Sequence, residues 1–224
     1  MCFLVCRVGK EPLLAANRDE VYARPFSAPR LWLADTPFWA PRDEEEGGTW
    51  IGVNRVGLVA AITNRSLLPE KSGRASRGHL VTGALARPSL AAAREWLDGA
   101  IDSDPRNPFH LLLFQGAAAV LYIHGPDGTD VRDLPAGLHY VSNLHDFGSI
   151  DLDLPADADF DTIRPHLADR TPRLPNGYPI CKDKNGERGT VASTLIEPGR
   201  RFLFADGPPD VAEYEAVAAY YVRH

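Results

Sequence analysis

Short apolar runs divided by turn residues mark the first part of the chain. Residues 2–8 form an apolar run of strand type and residues 12–17 a second, with Gly9-Lys10-Glu11 between them. A connector that short predicts a hairpin, so the first two strands are expected to be antiparallel neighbours. From Tyr22 to Glu46 the chain carries Pro25, Pro29, Pro37 and Pro41. Proline cannot donate to a sheet ladder, which predicts a long ordered loop with an edge piece around residues 31–33, and loops of that length tend to be functional. Gly47 and Gly48 then open a second hairpin, residues 49–54 and 58–63 about a turn at Arg55 to Gly57.

The period changes in the middle of the chain. Residues 76–87 place Leu80, Val81, Ala84 and Leu85 on one side of a helix. Pro88-Ser89 starts a second helix in which Leu90, Ala93, Trp96 and Leu97 share a face until Gly99 ends it. Strand patterns resume at residues 109–115, 119–124, 138–142, 190–196 and 201–205, with a weaker helix at 160–168 and a terminal helix at 211–221. Strands flanking a central helical pair do not fit a doubly wound parallel sheet. They predict an α+β layered structure of mainly antiparallel sheets with helices outside. Residues 151–176, rich in Pro and Asp, read as a surface excursion, which leaves one domain over residues 1–224.

Composition narrows the class. With 224 residues, 44% apolar and 24% charged, the chain can bury a core and is not disordered. It has no run of 18 or more apolar residues, and Cys6, Arg7 and Lys10 follow Met1 too closely for a signal peptide, so a cytoplasmic chain without a membrane span is expected. The net charge of −6 and the scattered Lys and Arg argue against nucleic acid as a partner. Three cysteines without metal-ligand spacing imply free thiols in a reducing compartment. No zinc site, no phosphate-cradling glycine motif and no dinucleotide motif is present, so neither metal nor cofactor is expected.

Cys2 carries the most chemical information. Removal of Met1 before so small a residue would leave a thiol and a free α-amine on one residue. An α-amine titrates at about 7.7–8.0, so it can take the thiol proton and later return it to a leaving group. The competing reading is a small buried hydrophobe, which fits Cys6 better. Cys6 shares the strand face of Cys2 but lies ~13 Å away, too far for a disulfide. Asn17-Arg18-Asp19-Glu20 ends the second strand, where Arg18 could hold a thiolate or bind a carboxylate and Asp19 could accept from the α-amine. The alternative there is a solvated ion pair. Asn64 and Asn143 also end strands, as turn formers or as donors to an oxyanion. Arg188, before the strand at 190–196, is a further anion contact or a solvated surface charge.

Jointly these motifs resemble the NRDE family, also called the Transport and Golgi organization protein 2 family, whose members look like N-terminal nucleophile (Ntn) hydrolases. The matching residues are Met1-Cys2, Asn17 to Glu20 with Arg24-Pro25, Gly47 to Gly52, Gly57 to Asn64, Arg77 to Val81, and Ser142-Asn143. Gly52 to Asn64 is also similar to the corresponding segment of conjugated bile acid hydrolases and penicillin V acylases. The resemblance implies a four-layer αββα Ntn-hydrolase-like sandwich of two mainly antiparallel sheets. It implies catalytic roles for Cys2, Arg18, Asp19, Asn64, Asn143 and Arg188, and hydrolysis of a small-molecule acyl amide through a thioester. It also implies the alternative of a non-catalytic haem- or lipid-handling protein on the same scaffold.

Overall fold

In a computed structural model of the chain, residues 2–217 and 220 are described. The chain begins with β1 (Cys2–Val8) and β2 (Leu13–Val21), followed by β3 (Phe26–Trp32), β4 (Phe38–Asp43), β5 (Ile51–Asn54) and β6 (Val59–Asn64). Helices α1 (Gly78–Leu85) and α2 (Leu90–Ser103) come next, then β7 (Phe109–Gln115), β8 (Ala118–Gly125), β9 (Gly128–Asp133) and β10 (Gly137–Ser142). The remainder holds α3 (Phe160–Leu167), β11 (Asp183–Lys184), β12 (Arg188–Glu197), β13 (Arg201–Ala205) and β14 (Glu215–Ala216).

The described strands form two seven-stranded antiparallel sheets. The first has the order β10-β1-β2-β12-β13-β14, with β11 beside β12; the second runs from β3 to β9 in chain order. Period-two alternation along each strand sorts the apolar side chains into layers. Leu4, Cys6 and Leu14 of the first sheet meet Ile51, Val59, Leu112 and Phe114 of the second in the inter-sheet core. The other face of the second sheet packs Leu111 and Leu113 against Leu80, Leu85 and Leu97 of α1 and α2. The other face of the first sheet packs Phe3, Val5 and Leu13 against Phe160 and Ile163 of α3. The result is the expected αββα layering. Each fully buried Leu or Phe in it contributes about 1.5–3 kcal/mol.

The structure departs from the local pattern at several prolines and at one glycine. The region from Tyr22 to Glu46 is no loop but the β3–β4 hairpin. Pro29 falls at the register shift between Ser27 and Arg30, and Pro41 lies beyond the two β5 pairings of β4, Phe38 with Asn54 and Trp39 with Val53. Neither position needs the missing N–H. Helix α2 passes through Gly99, whose Cβ position is open space, and continues to bury Ile101. Polar β9 at the edge of the second sheet was not expected at all. The helix expected at 211–221 is absent over its described part up to residue 217, where β14 pairs with β13 instead; residues 218, 219 and 221 lie outside the described residues.

Candidate active site

Hairpin register places the first candidate pair. Cys2 of β1 stands directly opposite Arg18 of β2, so both side chains project on one face, toward the second sheet. Cys2 is partly exposed, whereas Cys6 on the same face is fully buried and burial pushes its thiol well up. Opposite Cys2, the backbone N–H of Asn143, which follows β10, donates to the Cys2 carbonyl at 3.2 Å.

Arg18 is 4% exposed. Its guanidinium lies over the Trp50 ring at 4.2 Å and the Phe26 ring at 5.2 Å, and its Nη2 meets Asp43 Oδ2 at 3.3 Å. Nη1 is buried and has no hydrogen-bond partner among the described residues. Burial lowers the Arg18 pKa from its ordinary value, with Cys2, Glu20 and Asp43 opposing the shift. Asp43 is shared: it also accepts from Arg24 Nε at 2.8 Å. Burial alone would raise the Asp43 carboxyl, but the Arg24 hydrogen bond, a backbone N–H and the charges of Arg24 and Arg18 hold it below its ordinary value.

Asp19 is also buried, and its two oxygens are taken up by groups that the sequence reading did not single out. Lys182 Nζ donates to Oδ2 at 2.7 Å and Thr190 Oγ1 donates to Oδ1 at 2.7 Å. Both partners are less than one-tenth exposed. No short-range pattern marks Lys182; it reaches Asp19 from a loop 163 positions away.

A cavity of about 300 Å³ opens beside these groups, with Cys2, Arg18, Asp19, Asn64 and Arg188 among its lining. Five of the six expected site residues therefore share one cavity. Asn143 does not line it; fully buried, it donates from Nδ2 to Ser66 Oγ at 3.3 Å and leaves Oδ1 without a partner among the described residues. That geometry suits an acceptor to an amine beside Cys2 better than an oxyanion donor. Asn64 is half-buried and its side chain makes no hydrogen bond among the described residues, which leaves its amide able to donate into the cavity. Arg188 is 43% exposed and stands 3.9 Å from Glu20, a loose pair at the rim. Among the described residues no three His, Cys, Asp or Glu side chains converge where a metal ion could sit, and no helix is long and apolar enough to cross a membrane.

The fold is shared with solved enzymes. The chain is similar to the conjugated bile acid hydrolase from Clostridium perfringens at 11% identity, with 96% of each chain covered and a TM-score of 0.56. It is likewise similar to a Caenorhabditis elegans ortholog of N-acylethanolamine-hydrolyzing acid amidase at 12% identity, covering 98% of this chain and 97% of that one with a TM-score of 0.54. Penicillin V acylase from Agrobacterium tumefaciens matches at 12% identity and a TM-score of 0.52 over 92% of this chain and 83% of the other. At such identities the likeness establishes the Ntn-hydrolase fold and nothing finer. Among curated proteins, the human Transport and Golgi organization protein 2 homolog is 43% identical over 94 residues, 37% of this chain and 34% of the human protein. The Bos taurus homolog is 42% identical over 89 residues, 35% of this chain and 32% of its own length. These matches span about a third of the relatives' length. The family model for Transport and Golgi organisation 2 matches residues 1–151, about two thirds of the sequence, and the chain belongs to that family.

Proposed function

We propose that the chain is a single-domain cysteine Ntn amidohydrolase that cleaves the C–N bond of a small-molecule acyl amide in the reducing cytoplasm. The observation that carries this reading is the pairing of a partly exposed Cys2 with Arg18 across the β1–β2 hairpin, at the wall of a cavity that Asn64 also lines. Met1 lies outside the described residues, and its removal is part of the proposal. The Cys2 α-amine then takes the thiol proton as Sγ attacks the carbonyl carbon. The developing oxyanion is met by the Asn64 amide. As the C–N bond breaks, the α-ammonium returns its proton to the departing amine and leaves a thioester on Sγ. Water, deprotonated by the same amine, adds to the thioester and releases the acid and the thiol. Arg18 favours the thiolate, Asp43 and Trp50 hold Arg18 in place, Asn143 accepts from the α-amine, and Asp19, tied to Lys182 and Thr190, fixes the end of β2 beside the cavity.

Handling of haem or lipid on the same scaffold asks for an apolar cavity. Trp50 and Ile62 are the larger apolar residues in a lining dominated by charged side chains, which favours the hydrolase. The test starts with the intact mass of purified protein, to establish loss of Met1. Processed wild type, Cys2→Ala and Cys6→Ala proteins are then compared on a panel of N-acyl amides and with an electrophilic thiol probe. Hydrolysis and preferential labelling lost only in Cys2→Ala support the reading. Activity surviving without Cys2, or equal labelling of Cys6, removes it.

A further inference from the structure

A smaller slot adjoins the cavity beside Cys2. Its volume is about 70 Å³, and it shares Asp19, Glu20 and Arg188 with the cavity, so the two lie side by side where β2 ends and β12 begins. Tyr178, Pro179 and Gly189 add to a wall that is mostly carbon. Lys182 and Arg188 also line it, yet the Lys182 ammonium is drawn to Asp19 at 2.7 Å and the Arg188 guanidinium leans toward Glu20 at 3.9 Å. Their aliphatic stems are what remains for the slot.

Hydrogen bonds fix the backbone around it. The Lys182 N–H donates to Thr190 Oγ1 at 2.9 Å and the Thr190 N–H to the Lys182 carbonyl at 2.8 Å, while Tyr22 donates from its N–H to the Glu187 carbonyl and from its hydroxyl to Asp183. A Cβ on Gly189 would collide with the Tyr22 hydroxyl and the Lys182 carbonyl oxygen, so glycine is required at that point of the wall. Register then decides which part of a substrate lies nearest. Because β1 runs antiparallel to β2 and Cys2 stands opposite Arg18, the chain start points past Arg18 toward Asp19 and Glu20, the residues that β12 pairs through Thr190 and Gly189. The α-amine and the slot are therefore on the same side of the cavity. In the reaction proposed above, the α-ammonium returns its proton to the departing amine, which places that nitrogen and its substituent on the slot side of Sγ.

We infer that the slot is the leaving-amine subsite, and that the molecule acted on at Cys2 is an N-alkyl amide whose amine carries a short apolar group. At roughly 10–15 Å³ per water-sized group, the slot holds about five carbon atoms. A longer chain has to leave it. The direction of the amide bond rests on the hydrolase reading, whereas the affinity of the slot for a short apolar group rests on its own geometry.

Binding and turnover are read in the same samples. Cys2 alkylation by iodoacetamide is followed by mass spectrometry in the presence of N-methylacetamide, N-butylacetamide, N-octylacetamide or N-methylpentanamide, an isomer of the butyl compound with its chain on the acyl side, and released amine is measured alongside. N-Butylacetamide is expected to protect at a concentration about tenfold or more below that of N-methylacetamide, with a gain under about threefold for N-methylpentanamide and no further gain for the octyl compound. Tyr178 is 40% exposed and its side chain makes no hydrogen bond or ion pair among the described residues, so Tyr178→Ala should fold. That variant should cut the butyl gain to about threefold or less, and Tyr178→Phe should retain it. No butyl gain, an equal or larger gain for the pentanamide, a further gain of about tenfold for the octyl compound, or an undiminished butyl gain in Tyr178→Ala overturns the subsite. A butyl gain without release of butylamine removes the hydrolase reading and leaves the slot as an apolar binding site; amine release without a butyl gain does the reverse.

Discussion

Arg18 and Asp19 are consecutive, buried and oppositely charged, yet the two faces of β2 use them differently. On the inter-sheet face Arg18 rests on the Trp50 and Phe26 rings, shares Asp43 with Arg24, and keeps one buried nitrogen, Nη1, without a hydrogen-bond partner among the described residues. Asp19 is closed by Lys182 and Thr190 at 2.7 Å each. A cation held by ring faces and a shared carboxylate keeps donor capacity for something else. A carboxylate bound by an ammonium and a hydroxyl has spent most of its capacity on the fold. The difference teaches that equal burial can leave one charge with donor capacity in hand and its neighbour in the chain with almost none.

If Asp19 serves the fold, breaking its pair should give the largest stability effect. Lys182→Met leaves a buried carboxylate without its cation, and a loss of about 3–5 kcal/mol is expected in denaturant unfolding. Rescue by Asp19→Asn/Lys182→Met would show that the cost comes from the stranded charge. A loss under about 1 kcal/mol in the single variant would erase the contrast between the two faces.

The next effect is set by His110 of β7, in the same inter-sheet layer as Arg18. The ring is 1% exposed, and neither nitrogen has a well-formed partner among the described residues. Burial first, then the nearby Arg65, lowers its pKa from 6.5 to about 4. The folded value lies below the unfolded one, so the unfolded chain takes the proton first. Stability is complete above about pH 6.5 and falls as pH drops toward 4, by on the order of 3 kcal/mol. The difference in unfolding free energy between wild type and His110→Gln should therefore move against wild type by that amount between pH 7 and 4. Parallel curves would show that His110 does not titrate as its surroundings require.

Arg18→Gln should separate chemistry from stability: about 1 kcal/mol in unfolding, against a drop of about tenfold or more in Cys2 alkylation rate near neutral pH. Equal alkylation rates would mean that Arg18 does not act on the thiol. The smallest effect is expected at Asp43→Asn. Because the folded Asp43 pKa is depressed, its contribution exists above the unfolded value and disappears as pH falls through the folded one. The variant should therefore lose up to about 1 kcal/mol at neutral pH and match wild type in acid, as circular dichroism melts would record.

Where local pattern and tertiary role agree, the chain was legible. Residues 2–8, 109–115 and 201–205 are apolar runs of strand length bounded by turns, and they are the strands β1, β7 and β13. The hairpin joining β1 to β2 placed Cys2 near Arg18 because a short connector leaves few registers. Local pattern failed at β3 and β4, where Pro29 and Pro41 are tolerated only because of their place in the sheet, and at polar β9, which its edge position permits. It failed again at Gly99, where the need to bury Ile101 outweighs the roughly 1 kcal/mol helix cost of one glycine.

What the sequence determined by itself is the set of chemically able residues and the layered α+β class, since nucleophile type, donor type and hydrophobic period are properties of short segments. Tertiary structure decided which of them act together. It sent Arg18 and Asp19 to different partners through the alternation of one strand, set Asn143 behind Cys2 instead of in the cavity, and brought Lys182 and Thr190 from late in the chain onto Asp19. The physical reason is range. Periodicity reports which face a residue takes, but a buried charge can persist only with a partner, and that partner is selected by packing over more than a hundred residues of chain.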